Sequence, residues 1–335
     1  MRAVPPQRAA ASVMKMNARE WRPVSPNTEL PVLAGLSLLL ILLPAFAPLE
    51  WLFPTLLGPL PIAILWVKYP WRHVLWLIGL QAGILFAIGA LPSMLLLAQY
   101  GIVGLTLGVT MQLGYTASRT ISWTVALPIG IGSVVLLAVS TIAQQTPHAY
   151  LVAMFQEMAD ALYNQLLQME GLGDEEGMAK ALEALPRTMV SVLPAICAVN
   201  FLFPNVLNYL LARRYLRHQK PPISFVPADI AEWRATDYLV WVFLGSGVAL
   251  FLPVPTLNYI GLNVFLVTLA IYFMQGLAIV VFWGRRMPLP STARWLLAVV
   301  AFLLAAPFCV LACTAAGLFD LWVDFRRQRR QLPES

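Results

Sequence analysis

The chain has 335 residues, 59% of them hydrophobic and only 11% charged, with a formal net charge of +6. Soluble domains carry about 25% charged residues, so this composition excludes an ordinary water-soluble globular fold and indicates an integral membrane protein.

Residues 1–29 hold Arg2, Arg8, Lys15, Arg19 and Arg22 among prolines, without apolar periodicity, and are expected to form a disordered basic tail. The apolar stretch that follows ends in Ala45-Phe46-Ala47, which fits the small-x-small pattern of signal-peptide cleavage, but Pro48 comes directly after it and disfavours cleavage. A retained first span is expected.

No Lys, Arg, Asp or Glu occurs between His73 and Ser118 or between Tyr238 and Gly284. Each run is long enough for two crossings at roughly 20 residues apiece. The runs do not alternate as barrel strands would, and helices satisfy their own backbone in lipid, so the predicted fold is an all-α polytopic bundle. Breaks at Pro, Gly and charge place spans near 30–47, 52–67, 73–90, 92–113, 119–142, 188–211, 238–253, 258–283 and 295–319. About nine hydrophobic spans are expected, with eight or ten allowed.

Basic residues set the orientation, because short cytoplasmic loops are enriched in Lys and Arg. The tail, Lys68 and Arg72, Arg119, the group from Arg213 to Arg234, and Arg285, Arg286 and Arg294 all fall on one side of the alternation. That side is expected to be cytoplasmic, with the N-terminus on it. Nine crossings then leave the basic segment 326–335 outside, where such a cluster is disfavoured, unless the last stretch folds back at Pro307 or an earlier segment does not span.

The loop 143–187 is acidic, with Glu157, Asp160, Glu170, Asp174, Glu175, Glu176 and Glu183 against Lys180 and Arg187. Leu151, Phe155, Met158, Leu162, Leu166 and Met169 recur at helical spacing. Gly171 and Gly173 interrupt the pattern, and Asp174 is placed to cap a second helix ending near Leu185, so an external acidic helical hairpin is expected.

The motif search excludes several chemistries. There is no phosphate-binding Gly-x-x-x-x-Gly-Lys-Ser/Thr loop and no His-Glu-x-x-His, and the three histidines are scattered. No catalytic residue, metal site or cofactor is expected, nor is a nucleic-acid partner. The centres of the spans carry neutral polar groups only: Gln81, Gln99, Gln112, Asn200, Asn205, Asn208, Asn263 and Gln275. Such groups bond neighbouring helices or line a cavity; Gln99, Gln112, Gln275 and Asn263 are the candidate ligand-binding residues. Gly104 and Gly108, four apart, offer a face for close helix approach.

One motif stands apart, Gly317-Leu318-Phe319-Asp320-Leu321-Trp322-Val323-Asp324-Phe325-Arg326. Asp320 and Asp324 share a helix face, Trp322 suits the interfacial belt, and Asp320 can pair with Arg326, Arg327 or a loop arginine. Asp320, Trp322, Asp324 and Arg326 are read as an interfacial motif.

This closing segment, together with Tyr272–Val280 and Asn208–Arg214, is similar to recurring segments of the YybS-like family of uncharacterised bacterial membrane proteins. That family in turn distantly resembles the S components of energy-coupling-factor transporters. The resemblance implies a six-helix membrane unit over 30–217, followed by C-terminal membrane helices over 218–325. It also implies a bacterial inner-membrane location and a small-molecule ligand. ATP hydrolysis would be borrowed from separate membrane or ATPase subunits, so the chain itself is expected not to be an enzyme. A non-transporting structural or assembly partner of an envelope complex is the alternative.

Overall fold

A computed structural model of the chain describes residues 29–46, 56–167, 175–218 and 230–326. The expected tails over 1–29 and 326–335, apart from Glu29 and Arg326, lie outside the described residues, as do Glu50, Glu170, Asp174 and Lys220.

Regular structure among the described residues is helical throughout. The helices are α1 (Glu29–Phe46), α2 (Pro59–Lys68), α3 (Trp71–Ala87), α4 (Leu91–Gln112), α5 (Ala117–Ile142), α6 (Pro147–Leu167), α7 (Glu175–Arg217), α8 (Leu239–Ala249), α9 (Pro255–Gly284) and α10 (Ser291–Val323). A short 3-10 turn, Ile230–Glu232, precedes α8. The chain is a polytopic helical membrane protein; each expected span falls on an apolar helix, and among the described helices α6 alone corresponds to no expected span.

Among the described residues five helices are long and apolar enough to cross a membrane: α4, α5, α7, α9 and α10. By contrast α2 has 10 residues and α8 has 11. At 1.5 Å per residue such helices reach only about 15–17 Å, short of the roughly 30 Å hydrocarbon core.

Proline marks where helices begin. Pro59 and Pro255 open α2 and α9, where an amide donor is not needed, and Pro290 precedes α10. Glycine closes two of the joints: Gly89 and Gly114 take φ of 72° and 69°, which a Cβ would oppose.

The hairpin expected over 143–187 requires a correction. Its first arm is present as α6, but the second does not stop near Leu185; it runs on without interruption into the sixth span as the 43-residue α7. The run from Lys180 to Leu185 consists of helix formers, and Pro186, Pro194 and Pro204 are all accommodated within the helix.

The contacts divide the chain into two compact units. The first comprises residues 1–127 and 204–225. Here α2 packs against α4 and α1, around a core that includes Ile62, Leu65, Tyr100 and Leu107. The glycine face on α4 is used as its spacing predicts: a Cβ on Gly104 would lie 2.8 Å from Ile62 Cβ, and one on Gly108 would lie 2.7 Å from Trp66 Cβ. Lys68 at the end of α2 forms an ion pair with Glu29 at the start of α1.

The second unit comprises residues 128–203 and 226–335. In it α9 packs against α8, α10 and the 3-10 turn. The backbones of α9 and α10 meet closely, since a Cβ on Gly276 would fall 1.8 Å from the Cys313 carbonyl oxygen and one on Gly317 would fall 1.9 Å from that of Tyr272. Helix α10 is broken at Ala305, whose φ of −139° and ψ of 39° are not helical, two residues before Pro307.

Candidate functional site

The close approach of α9 and α10 brings Gln275 beside Asp320, two residues that the sequence separates by most of α10. The Gln275 Nε2 donates to Asp320 Oδ2 at 3.1 Å, while its Oε1 accepts from the Ala235 N–H at 3.1 Å. Gln275 therefore links α9, α10 and the segment leading to α8.

Asp320 is fully buried, and its carboxylate is surrounded by donors. Arg326 Nη2 donates to Oδ2 at 2.7 Å and the Phe325 N–H donates to Oδ1 at 3.1 Å. Arg326 then spends Nη1 on the carbonyls of Ala231 and Trp233, at 2.8 and 2.9 Å. Asp324 ends α10 by adopting the left-handed conformation, φ 46°, with its N–H on the Asp320 carbonyl. Its side chain is paired with Arg234, whose Nε lies 3.9 Å from Asp320 Oδ2. Two carboxylates thus face two guanidiniums, a neutral balance that a low-dielectric setting requires.

Of the expected interfacial motif, Asp320, Asp324 and Arg326 come together, and of the partners the sequence offered to Asp320 it is Arg326 that bonds to it. Trp322 takes no part and is 63% exposed. Asp320 is not an exposed anchor. It is the buried centre of a lock that fastens the end of α10 to the turn before α8.

Asn263 has an equally defined role. In α7 Pro194 has no N–H, and one residue on, the Ala195 N–H and the Ser191 carbonyl are the natural partners of one helical bond. The Asn263 amide meets both: Oδ1 accepts from Ala195 N–H at 2.9 Å and Nδ2 donates to Ser191 O at 2.8 Å. Nδ2 also reaches Tyr259 O at 3.0 Å within its own helix. A side chain placed in the ladder beside a proline supports a helix where its own bonding is weakest.

Gln112 is exposed and donates to the Trp66 carbonyl at 3.1 Å, satisfying a carbonyl near the end of α2. Gln99 is half-buried on α4. Of the four ligand-binding candidates, Gln99 and Gln112 belong to the first unit and Asn263 and Gln275 to the second. An open groove is lined by His148, Val152, Gln156 and Arg187, none of them candidates. Among the described residues no group of His, Cys, Asp and Glu is placed to hold a metal ion.

A different polar set emerges in the first unit. Gln81 on α3 is buried and donates Nε2 to the Ala34 carbonyl at 3.1 Å, but its Oε1 has no partner. Ser37 lies one turn beyond Ala34 on α1, fully buried, with its hydroxyl also unpartnered. Ile41 and Leu85, each four residues further along, share one core cluster, so Ser37 and Gln81 lie on the core-facing sides of α1 and α3. Asn208 on α7 donates to Leu56 O and Pro204 O, both at 2.7 Å, and leaves Oδ1 buried without a partner.

A protein-family model described as "Predicted membrane protein (DUF2232)" matches residues 35–321, most of the chain. The chain belongs to this family. No curated protein and no solved structure matches it. Within this DUF2232 protein the matched range takes in Ser37, Gln81, Asn263, Gln275 and Asp320, and it ends before Asp324 and Arg326.

Sequence reasoning named Gln81 and Asn208 as polar groups within spans but did not prefer them, and it missed Ser37 altogether. A lone serine between leucines gives no signal of its own. Only its position one helical turn from the backbone atom that Gln81 contacts reveals it.

Proposed function

We propose that this DUF2232 protein is a transporter-like membrane subunit that binds a small uncharged molecule and performs no ATP hydrolysis or other catalysis itself. The observation that carries this reading is the set of buried oxygens on Ser37, Gln81 and Asn208 without protein partners. An unsatisfied buried polar group costs about 1–3 kcal/mol, and a ligand that bonds to these groups recovers that cost. All three lie within the six-helix unit proposed over 30–217, and the spans there offer neutral bonding groups suited to an uncharged ligand. The likeness to S components points in the same direction, with separate membrane or ATPase subunits supplying energy.

The proposed location is a bacterial inner membrane with the N-terminus cytoplasmic. Because Arg326 bonds to Ala231 and Trp233, the end of α10 lies beside the 3-10 turn before α8, and we place the C-terminal segment on the same side of the membrane as that turn.

The test is purification from native membranes in mild detergent, followed by mass spectrometry of retained small molecules. A stoichiometric small molecule that Ser37→Ala or Gln81→Leu releases supports the proposal. An empty protein, or a molecule that both variants retain, defeats it.

One observation favours the assembly-partner reading. On α6, Met154, Met158 and Leu162 leave an exposed apolar stripe, 59% at Met158. Reproducible co-purification of a protein that Met158→Glu abolishes would favour that reading instead.

A further inference from the structure

We propose that the turn joining α9 to α10 binds the headgroup of an anionic phospholipid. The sequence puts Arg285, Arg286 and Arg294 into ten residues, within a stretch from 238 to 319 that holds no Asp or Glu. The structure then holds two of these arginines in defined poses. The Arg286 guanidinium stacks 3.5 Å from the centroid of the Phe282 ring and 5.6 Å from that of Trp283, and its Nη1 donates to the Phe282 carbonyl at 3.2 Å. Arg294, at the start of α10, reaches back with Nη1 to the Gly284 carbonyl at 2.8 Å.

Three physical consequences follow. Stacking orders the Arg286 fork before a ligand arrives, and a planar guanidinium matches phosphate oxygens in pairs. The bond from Arg294 occupies a carbonyl at the C-terminal end of α9, the negative end of the helix dipole, which would otherwise repel an anion. Trp283 and Trp295 flank the turn, exposed by 42% and 67%, and indole rings sit at headgroup level between hydrocarbon and water. Basic charge, flanking indoles and the exposed apolar start of α10 suit a lipid, whose phosphate and acyl chains are covalently joined, better than a free anion.

The full-length protein in neutral detergent is titrated with phosphatidylglycerol, phosphatidylcholine and inorganic phosphate, and lipid-bound species are counted by native mass spectrometry. Wild type is expected to retain phosphatidylglycerol over phosphatidylcholine. Arg286→Gln is expected to weaken phosphatidylglycerol binding about fivefold, and Arg286→Gln with Arg294→Gln about 25-fold, from the typical contribution of an arginine at an anionic surface. Arg286→Lys keeps the charge but loses the fork and should fall between wild type and Arg286→Gln.

Equal retention of the two lipids by wild type overturns the proposal, as does unchanged binding in a folded Arg286→Gln protein. Displacement of the lipid by millimolar inorganic phosphate also overturns it, because the site would then take phosphate from any source. Should the double variant fail to elute as a single species, Arg286→Gln alone decides, since Arg286 is exposed and its removal leaves the Gly284 bond intact.

Discussion

In the second unit Asn263, Gln275, Asp320 and Arg326 meet partners at 2.7–3.1 Å, and the one unpartnered buried side-chain atom among its described residues is Arg326 Nε. In the first unit Ser37, Gln81 and Asn208 are just as buried, yet each keeps an oxygen that no protein group reaches. Similar residue types in similarly apolar helices therefore serve two purposes. Where backbone carbonyls and amides are freed by a proline, a helix end or a connector, the polar side chain closes the gap and becomes structural. Where the flanking helices already satisfy themselves, the polar side chain has bonding capacity left over for something else.

The comparison can be broken most forcefully at Asp320. Replacing it with Leu leaves Arg326 buried without its counter-ion, which should destabilise the protein by about 3–5 kcal/mol, seen as a lowered thermal midpoint in detergent. Gly276→Ala comes next: its Cβ would overlap the Cys313 backbone, so α9 and α10 must separate, at a cost of about 1–3 kcal/mol or more. Asn263→Ala should cost about 1–3 kcal/mol and raise hydrogen exchange around Ser191–Ala195, a local effect the other variants should not show. Arg234→Ala removes a half-exposed partner and should shift stability by less than about 1 kcal/mol. Ser37→Ala removes a buried hydroxyl that bonds to nothing in the protein, so stability should hold or rise by up to about 1–3 kcal/mol as that penalty is relieved, while any effect on ligand retention remains.

The sequence makes the membrane fold readable because charge-free runs are long and lipid leaves the backbone little alternative to helix. The nine apolar helices among the described residues fall where the expected spans lie. The course of α7 was less readable: the second hairpin helix is expected to end near Leu185, just before Pro186, whereas the helix continues, and Asn263, 68 residues beyond Ala195, supports it beside Pro194. The polar groups were harder still. Gln275 and Asn263 look like cavity residues because their main partners are backbone atoms in remote segments, and backbone atoms carry no sequence signature. Arg326 was among the partners offered to Asp320 because it is six residues away, whereas the connector carbonyls that complete their setting lie more than 90 residues upstream.

The most direct test compares two thermal midpoints measured side by side in the same detergent, those of Asp320→Asn and Ser37→Ala. Asp320→Asn should fall by several degrees while Ser37→Ala stays level or rises, because one removes a buried ion pair and the other only an unpartnered buried hydroxyl. An unchanged midpoint for Asp320→Asn, or a fall for Ser37→Ala as large as that for Asp320→Asn, would contradict the division of polar roles between the two units.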